Sequence, residues 1–352
     1  MNPPYGSRVG LVGATSLLGR ELTKVLKERN FPVLSSVAIE PDKKEPEIPV
    51  LDVESDLLES VHLEDFNGDD FDFIFVAAPL PSADWAVLMA RLRGGAGRRA
   101  AAQGPVVIGL VELPAEAGIA AFSAPGQSIP VTHSDEKGPR LLRSPHATSA
   151  ALSTLLLRLA AQFKVARVVA HVFAPASNLG PAAIEELQEQ ILKLMSFQKI
   201  PQAVFGSQMA FNILPRLGGT AGAALSELEA RVRHELSLLL AGRVPAPAVR
   251  VLQVPVFFST AFSVYVEVDS KADAARASKV IEGGGVRGRH ISQPPATQIE
   301  AAGSADILVD VVIEDASESS GLWLWAAVDD LRLAAKSAVE IAEHFLKKEI
   351  LH

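Results

Sequence analysis

The chain has 352 residues, 48% of them hydrophobic, no cysteine and a formal charge of −8. At roughly 100–200 residues per domain, that length suits two domains with sizeable cores. The missing thiols exclude disulfides, thiolate metal ligands and every cysteine nucleophile. The acidic balance, with Lys and Arg gathered only in short clusters such as Arg91 to Arg99, excludes a binder of nucleic-acid backbones.

The first ten residues, MNPPYGSRVG, lack a charged-then-apolar signal pattern, and no run approaches the roughly 20 apolar residues that span a bilayer. A soluble cytoplasmic protein without a membrane partner is expected. The eight histidines show no HxH or HExxH spacing, so they read as scattered surface residues and no metal is expected.

Arg8 to Val12 reads as a short buried strand that runs into Gly13. From Leu17 a helix follows, with Leu17, Leu18, Leu22, Val25 and Leu26 on one face and Thr15 or Ser16 as its cap. Gly10, Gly13, Ser16 and Gly19 form a GxxGxxSxxG spacing, and a turn with so few side chains leaves open amides at the positive end of the helix. Gly10, Gly13, Thr15, Ser16, Leu17, Leu18 and Gly19 are therefore the candidate phosphate seat of a dinucleotide, although a tight turn needs small residues for steric reasons alone. The Ser16 hydroxyl could donate to a phosphate, or its Cβ could crowd one.

Val33 to Ile39 is a second strand. Glu40 stands about where an acid would bond a ribose 2′-hydroxyl, but with Pro41, Asp42 and two lysines behind it the preferred reading is a solvated turn. Phe71 to Ala78, FDFIFVAA, is the clearest buried strand; Ala77 and Ala78 at its end would let a ligand approach the backbone. A helix from about Ala83, an Ala/Arg/Gly-rich stretch over 90–104 and a strand from Pro105 to Leu110 follow. Strands alternating with helices imply a parallel, doubly wound sheet with its ligand at the carboxyl ends of the strands.

Within Leu141 to Leu159 a proline turn leads into a long apolar helix, with Thr148 or Ser149 as a cap, and the first domain hands over to the second. Strands are expected at 165–175, 249–268, 306–313 and 322–328, and helices at Ala182 to Met195 and Leu225 to Leu240. The second domain is thus a mixed α/β layer. Its long strands are apolar on both faces, which calls for burial on both sides, one of them against a subunit partner. The last helix, Asp330 to Leu346, carries the stripe Leu331, Ala334, Ala338, Ile341 and Phe345 and packs most simply on the first domain.

Seven blocks, in order, resemble the aspartate-semialdehyde dehydrogenase family, and within it the Usg-like branch. VGATSLLGREL (12–22) is similar to the family's cofactor turn, FDFIFVAA (71–78) to its second cofactor strand, and SPHATSAAL (144–152) stands where the family has NPNCST. PASNLGPAAIEELQEQ (175–190), SQMAFNILP (207–215), LQVPVFFSTAFSV (252–264) and AAVDDLRLAAKSAVEIAE (326–343) complete the set. The resemblance implies a Rossmann-like dinucleotide-binding domain over 1–146, completed by the C-terminal helix at 330–352. It also implies a glyceraldehyde-phosphate-dehydrogenase-like dimerisation and former catalytic domain over 147–329, a homodimer, and NADP use.

Family enzymes form a thiohemiacetal on a cysteine, with a histidine as acid/base and an arginine holding the substrate carboxylate. By the resemblance those positions are Ala147, Thr260 and Gln253 here. Of the family's EExK patch Glu227 remains, while Leu228 and Ala230 replace the second acid and the lysine. The Val107 to Ala115 block has no arginine for phosphate, and the 2′-phosphate turn has become Val37-Ala38-Ile39-Glu40, which leaves NADP or NAD open.

Thr148 beside the vacated position, with His146 before it, is the weak candidate for a substitute nucleophile and base. The plainer reading makes Thr148 an N-cap and His146 a loop residue. The expected function is a non-catalytic homologue that binds a small molecule, a nucleotide or a protein, a catalytic relative in a mixed dimer included. The alternative is an NAD(P)-dependent oxidoreductase of the semialdehyde dehydrogenase type that works without a cysteine. An active aspartate-semialdehyde dehydrogenase conflicts with the missing thiol.

Overall fold

The computed structural model describes residues 6–40, 59–93, 104–113 and 139–350. They fall into two compact units, Met1–Pro145 with Ala334–His352, and His146–Leu333.

In the first unit, β1 (Ser7–Val12), α1 (Leu17–Glu28), β2 (Val33–Glu40), β3 (Glu59–His62), β4 (Phe73–Val76), α2 (Ser82–Arg93), β5 (Val106–Gly109) and β6 (Arg140–Arg143) build one six-stranded sheet. Every pairing in it is parallel and the order is β3-β2-β1-β4-β5-β6, a Rossmann-like sheet whose winding reverses between β1 and β4. Leu22, Val25 and Leu26 of α1 and Ala338, Ile341 and Phe345 from the end of the chain form a core on one face, and Trp85 and Leu88 of α2 pack on the other. The Arg29 guanidinium grips Glu343 at 2.8 and 2.7 Å, which ties the last helix to the end of α1.

The strand expected at Phe71 to Ala78 is shorter: Asp72 turns its carboxylate onto the Arg8 amide (2.8 Å), and Ala77 and Ala78 already belong to the following turn. Two strands escaped the sequence reading, β3 (ESVH) and β6 (RLLR). Both are sheet edges, where four residues with one or two apolar side chains suffice and alternation has no length to show. Residues 94–103 of the Ala/Arg/Gly-rich stretch, the Glu40 to Pro49 segment beyond Glu40 and Ala115 lie outside the described residues, as do Met1 to Tyr5, His133 and His352.

The second unit runs α3 (Ala147–Ala160), β7 (Val165–Ala174), α4 (Pro181–Met195), α5 (Ala224–Leu240), β8 (Ala248–Gln253), β9 (Thr260–Val268), α6 (Ala274–Ile281), β10 (Val286–Gly288), α7 (Gln298–Ala301), β11 (Ile307–Val309), β12 (Ile313–Glu314), β13 (Gly321–Val328) and the start of α8 (Asp330–Ile350). Its mixed sheet has the order β10-β11-β13-β9-β7-β8, with β12 also on β13. The single strand expected over 249–268 is two, because Pro255 and Ser259 (φ 71°) break the extended backbone between Val254 and Ser259. The one expected over 306–313 likewise divides into β11 and β12. The short elements α6, β10 and α7 had no legible period.

Helices α3 and α5 pack on β7 and β8 and cover one face of this sheet. Along β7, buried Val168, Ala170 and Val172 alternate with half-buried Val169, His171 and Phe173. On the same side as the latter, the register aligns Ser263 and Tyr265 of β9 with Trp325 and Trp323 of β13. Burial on both sides, expected from the apolar content, is thus complete on one face and partial on the other within a single chain. The segment 201–210 is fixed to α4 by two buried side chains. Glu186 accepts from the amides of Val204 (2.7 Å) and Phe205 (3.1 Å), and Gln190 from those of Met209 and Ala210 (2.7 and 3.1 Å). No helix among the described residues is long and apolar enough to cross a membrane.

Candidate functional site

The glycine turn of the first unit is shaped by close approach. Gly13 has φ 74°, and a Cβ there would stand 2.4 Å from the Ala78 Cβ; one at Gly19 would stand 2.2 Å from the Gly13 carbonyl. Ser16 is the N-cap of α1: its Oγ accepts from the Gly19 amide (3.0 Å) and donates to the Ala77 carbonyl (3.1 Å). The hydroxyl hydrogen offered to a phosphate in the sequence reading is therefore used inside the protein. Ala77 and Ala78 are small because the turn after β4 packs on the turn after β1. No described residue accepts a hydrogen bond from the amides of Leu17 and Leu18, and Thr15 is exposed beside them. Gly10 lies within β1, against Ile39.

Glu40 departs from the solvated-turn reading. It is the last residue of β2, paired with His62 of β3 and half-buried, and burial raises its carboxyl above the usual carboxylate range.

The second unit holds the positions that the resemblance assigns to chemistry. Ala147 is the first residue of α3 and is 2% exposed. The cap of that helix is neither Thr148 nor Ser149 but His146, two residues before the nearer of them. Its Nδ1 accepts from the Thr148 amide at 3.2 Å, while its own amide donates to Glu235 at 2.8 Å. The imidazole lone pair at Nδ1 thus rests on the Thr148 amide rather than on the Thr148 hydroxyl, which is buried without a partner. That is not the contact of a base with its nucleophile. Glu235 and Arg231 (2.8 Å apart), which no motif in the sequence singles out, hold the start of α3 in place; Glu229 of the same helix accepts from the Val251 amide. Glu227, Leu228 and Ala230 lie on the same helix, Glu227 and Ala230 exposed and Leu228 half-buried.

Gln253 ends β8 with its side chain buried and its Nε2 donating to the Ala174 carbonyl at 2.9 Å. Thr260 begins β9, buried, and its hydroxyl donates to Asp330 at 3.2 Å. Asp330, unremarked in the sequence beyond its place as a helix start, is fully enclosed. Burial, with a smaller push from Asp329, raises its carboxyl to about 7. No group of three or more His, Asp or Glu suited to a metal occurs among the described residues.

A Rossmann-like parallel sheet joined in one chain to a mixed sheet with a half-covered face defines a dehydrogenase-type scaffold of two units. The family model for the semialdehyde dehydrogenase dimerisation domain matches residues 156–333. An aspartate-semialdehyde dehydrogenase of Rickettsia bellii is 24% identical over 353 residues, covering 96% of this chain and 97% of the relative. A USG-1 protein homolog of Pseudomonas aeruginosa is 27% identical over 352 residues, again 96% and 97%. The solved structure of a probable aspartate-semialdehyde dehydrogenase from Pseudomonas aeruginosa superposes with a TM-score of 0.80 at 24% identity, covering 97% of this chain and 99% of that one. The chain belongs to the semialdehyde dehydrogenase family, whose dimerisation-domain model matches half of its length.

Proposed function

We propose that this chain is a non-catalytic member of its family, a homodimer that keeps the fold and a nucleotide seat and acts by binding a ligand or a protein. The observation that carries this reading is the absence of any cysteine from the sequence, with a buried alanine, Ala147, at the head of α3 where the resemblance puts the nucleophile. Gln253 and Thr260, in the places of the arginine and the histidine, bond within the protein and carry no charge. A second reading, an oxidoreductase without a covalent step, gains one feature from the structure. Asp330 beside Thr260 is a carboxyl that can hold or release a proton near neutrality.

The turn fits a dinucleotide pyrophosphate, because the glycine cradle closes without side chains and the Leu17 and Leu18 amides stand open. A bound NAD or NADP would supply hydride chemistry, and Gly13, Thr15, Leu17 and Leu18 would hold its phosphates. A half-buried acid at the end of β2 suits the 2′-hydroxyl of NAD and repels the 2′-phosphate of NADP, so Glu40 favours NAD. Calorimetric titration with each nucleotide, alongside an assay of phosphate-dependent aspartate-semialdehyde oxidation on the same sample, tests the whole proposal. Binding of NAD without turnover is expected. Turnover would overthrow the non-catalytic reading, and no binding of either nucleotide would remove the seat and leave protein partners.

The homodimer rests on the dimerisation-domain match and on the half-covered sheet face that bears Val169, Tyr265 and Trp323. Val169→Glu places a charge in that face without breaking a hydrogen bond of the fold. Light scattering should then give half the mass of the unmodified protein. An unchanged mass for the variant, or a monomeric parent protein, would rule this interface out.

A further inference from the structure

In the second unit a groove of about 670 Å³ lies between the turn that joins α3 to β7 and the turn that joins α5 to β8. It sits at the amino ends of β7 and β8. Gln253 and Ala174 stand at the carboxyl ends of the same two strands, and the ten residues of β7 separate the two ends by roughly 30 Å. Ala147 opens α3, whereas Ala160, which lines the groove, ends it. None of the seven blocks that resemble the family includes a residue of this groove.

Most of its lining is apolar: Phe163, Val165 and Val244 are buried residues at its surface, and the exposed Pro245 and Ala246 stand beside them. Its charged lining is all of one sign. Arg243 and Lys164 border the groove and no acid does, in a chain whose formal charge is −8. Lys164 is already paired with Asp269. Arg276 of α6 stacks on the Phe163 ring at 5.1 Å and donates to the Gln162 Oε1 at 2.7 Å, so its charge is engaged as well. Asp273 is occupied in capping α6 through the Arg276 amide (2.9 Å). Arg243 differs from these. Its side chain is exposed, and no described residue makes a hydrogen bond or an ion pair with its guanidinium. Ala241 and Gly242 end α5 in left-handed backbone (φ 46° and 74°), the turn that brings Arg243 round to the groove.

The geometry points to a binding site for a small organic carboxylate with an apolar body. The body lies against Phe163, Val165 and Val244, and the carboxylate accepts two parallel hydrogen bonds from the Arg243 guanidinium, with Lys164 adding to the attraction. A volume of this size is ordinary for a small-molecule site, where an apolar lining supplies contact and a few polar groups fix orientation. Only one cation is uncommitted, so the groove suits a single negative charge. A neutral ligand forgoes the pairing, and a cationic one meets two like charges. This site is separate from the nucleotide seat of the first unit and stands whether or not the chain turns over a substrate.

The test titrates the full chain with hexanoate and with its neutral isostere hexanamide, following the backbone amides by NMR. Hexanoate should bind roughly fivefold more tightly than hexanamide, the scale of one exposed ion pair, and should shift the amides of 160–165 and 242–246. Arg243→Ala should remove that advantage and leave hexanamide unchanged. Lys164→Ala should weaken hexanoate less, about twofold, because Asp269 already shares that charge. Ala246→Trp, which fills the groove from an exposed position, should weaken both probes. Equal binding of hexanamide, unchanged hexanoate affinity in Arg243→Ala, or shifts confined to other residues would each overturn the proposal. Displacement of hexanoate by NAD would put the probe in the nucleotide seat instead and overturn it too.

Discussion

Asp330→Asn should make the protein more stable at pH 8 by an amount on the order of 4 kcal/mol, and the gain should shrink to little at pH 4. The Asp330 carboxyl is enclosed, and burial raises it to about 7 against an ordinary value near 4. Between those values the folded chain holds a proton that the unfolded chain has released, so the slope of unfolding free energy against pH is negative for this group. The stability of the protonated form is fully present below about pH 4, is lost as pH rises through about 7 and stays lost above it. Asparagine keeps the shape and an oxygen for the Thr260 hydroxyl, and it never ionises. Other carboxylates titrate over the lower part of the same range, so the informative quantity is the difference between the two proteins in urea unfolding at several pH values. Parallel curves, with no widening toward pH 8, would show that Asp330 is not held protonated.

The doubly wound sheet was legible because its inner strands are short apolar runs and α1 and α8 carry clean apolar stripes. β3 and β6 were not, since an edge strand of four residues with polar side chains looks like a loop until its partner is known. The glycine turn was readable as a close approach, but the engagement of the Ser16 hydroxyl by Ala77, 61 residues away, has no local signature. The same limit governs the second unit. The resemblance in the sequence pointed to positions for chemistry at Ala147, Gln253 and Thr260, and the sequence had no means of showing that His146 caps α3, that Glu235 reaches across to its amide or that Asp330 is enclosed. Each of these depends on residues far apart in the chain, and the polar residue types involved are found more often on surfaces. What the sequence could show, the absence of a thiol, remains the strongest single constraint on the chemistry.

Glu235→Ala should destabilise the protein by about 3–5 kcal/mol, the usual cost of removing one member of a buried ion pair. Glu235 has no exposed surface; its carboxylate accepts from the Arg231 guanidinium and from the His146 amide, both at 2.8 Å. Truncation takes the carboxylate from a guanidinium that is only 18% exposed and removes the acceptor of the His146 amide at the head of α3. Glu235→Gln keeps an oxygen for the His146 amide and gives up only the charge, so its loss should be smaller, about 1–2 kcal/mol. Glu189 and Lys193 share the same four-residue spacing on α4 but face water, and Glu189→Ala should change stability by less than about 0.5 kcal/mol. Urea unfolding of the three variants measures the ranking, and hydrogen exchange at 147–150 locates it. The Thr148 amide, held by the His146 ring, should exchange faster in Glu235→Ala and little changed in Glu189→Ala. Equal losses in Glu235→Ala and Glu189→Ala, or unaltered exchange at Thr148, would mean that the buried pair does not hold the start of α3, and the head of that helix at Ala147 would then owe its shape to apolar packing alone.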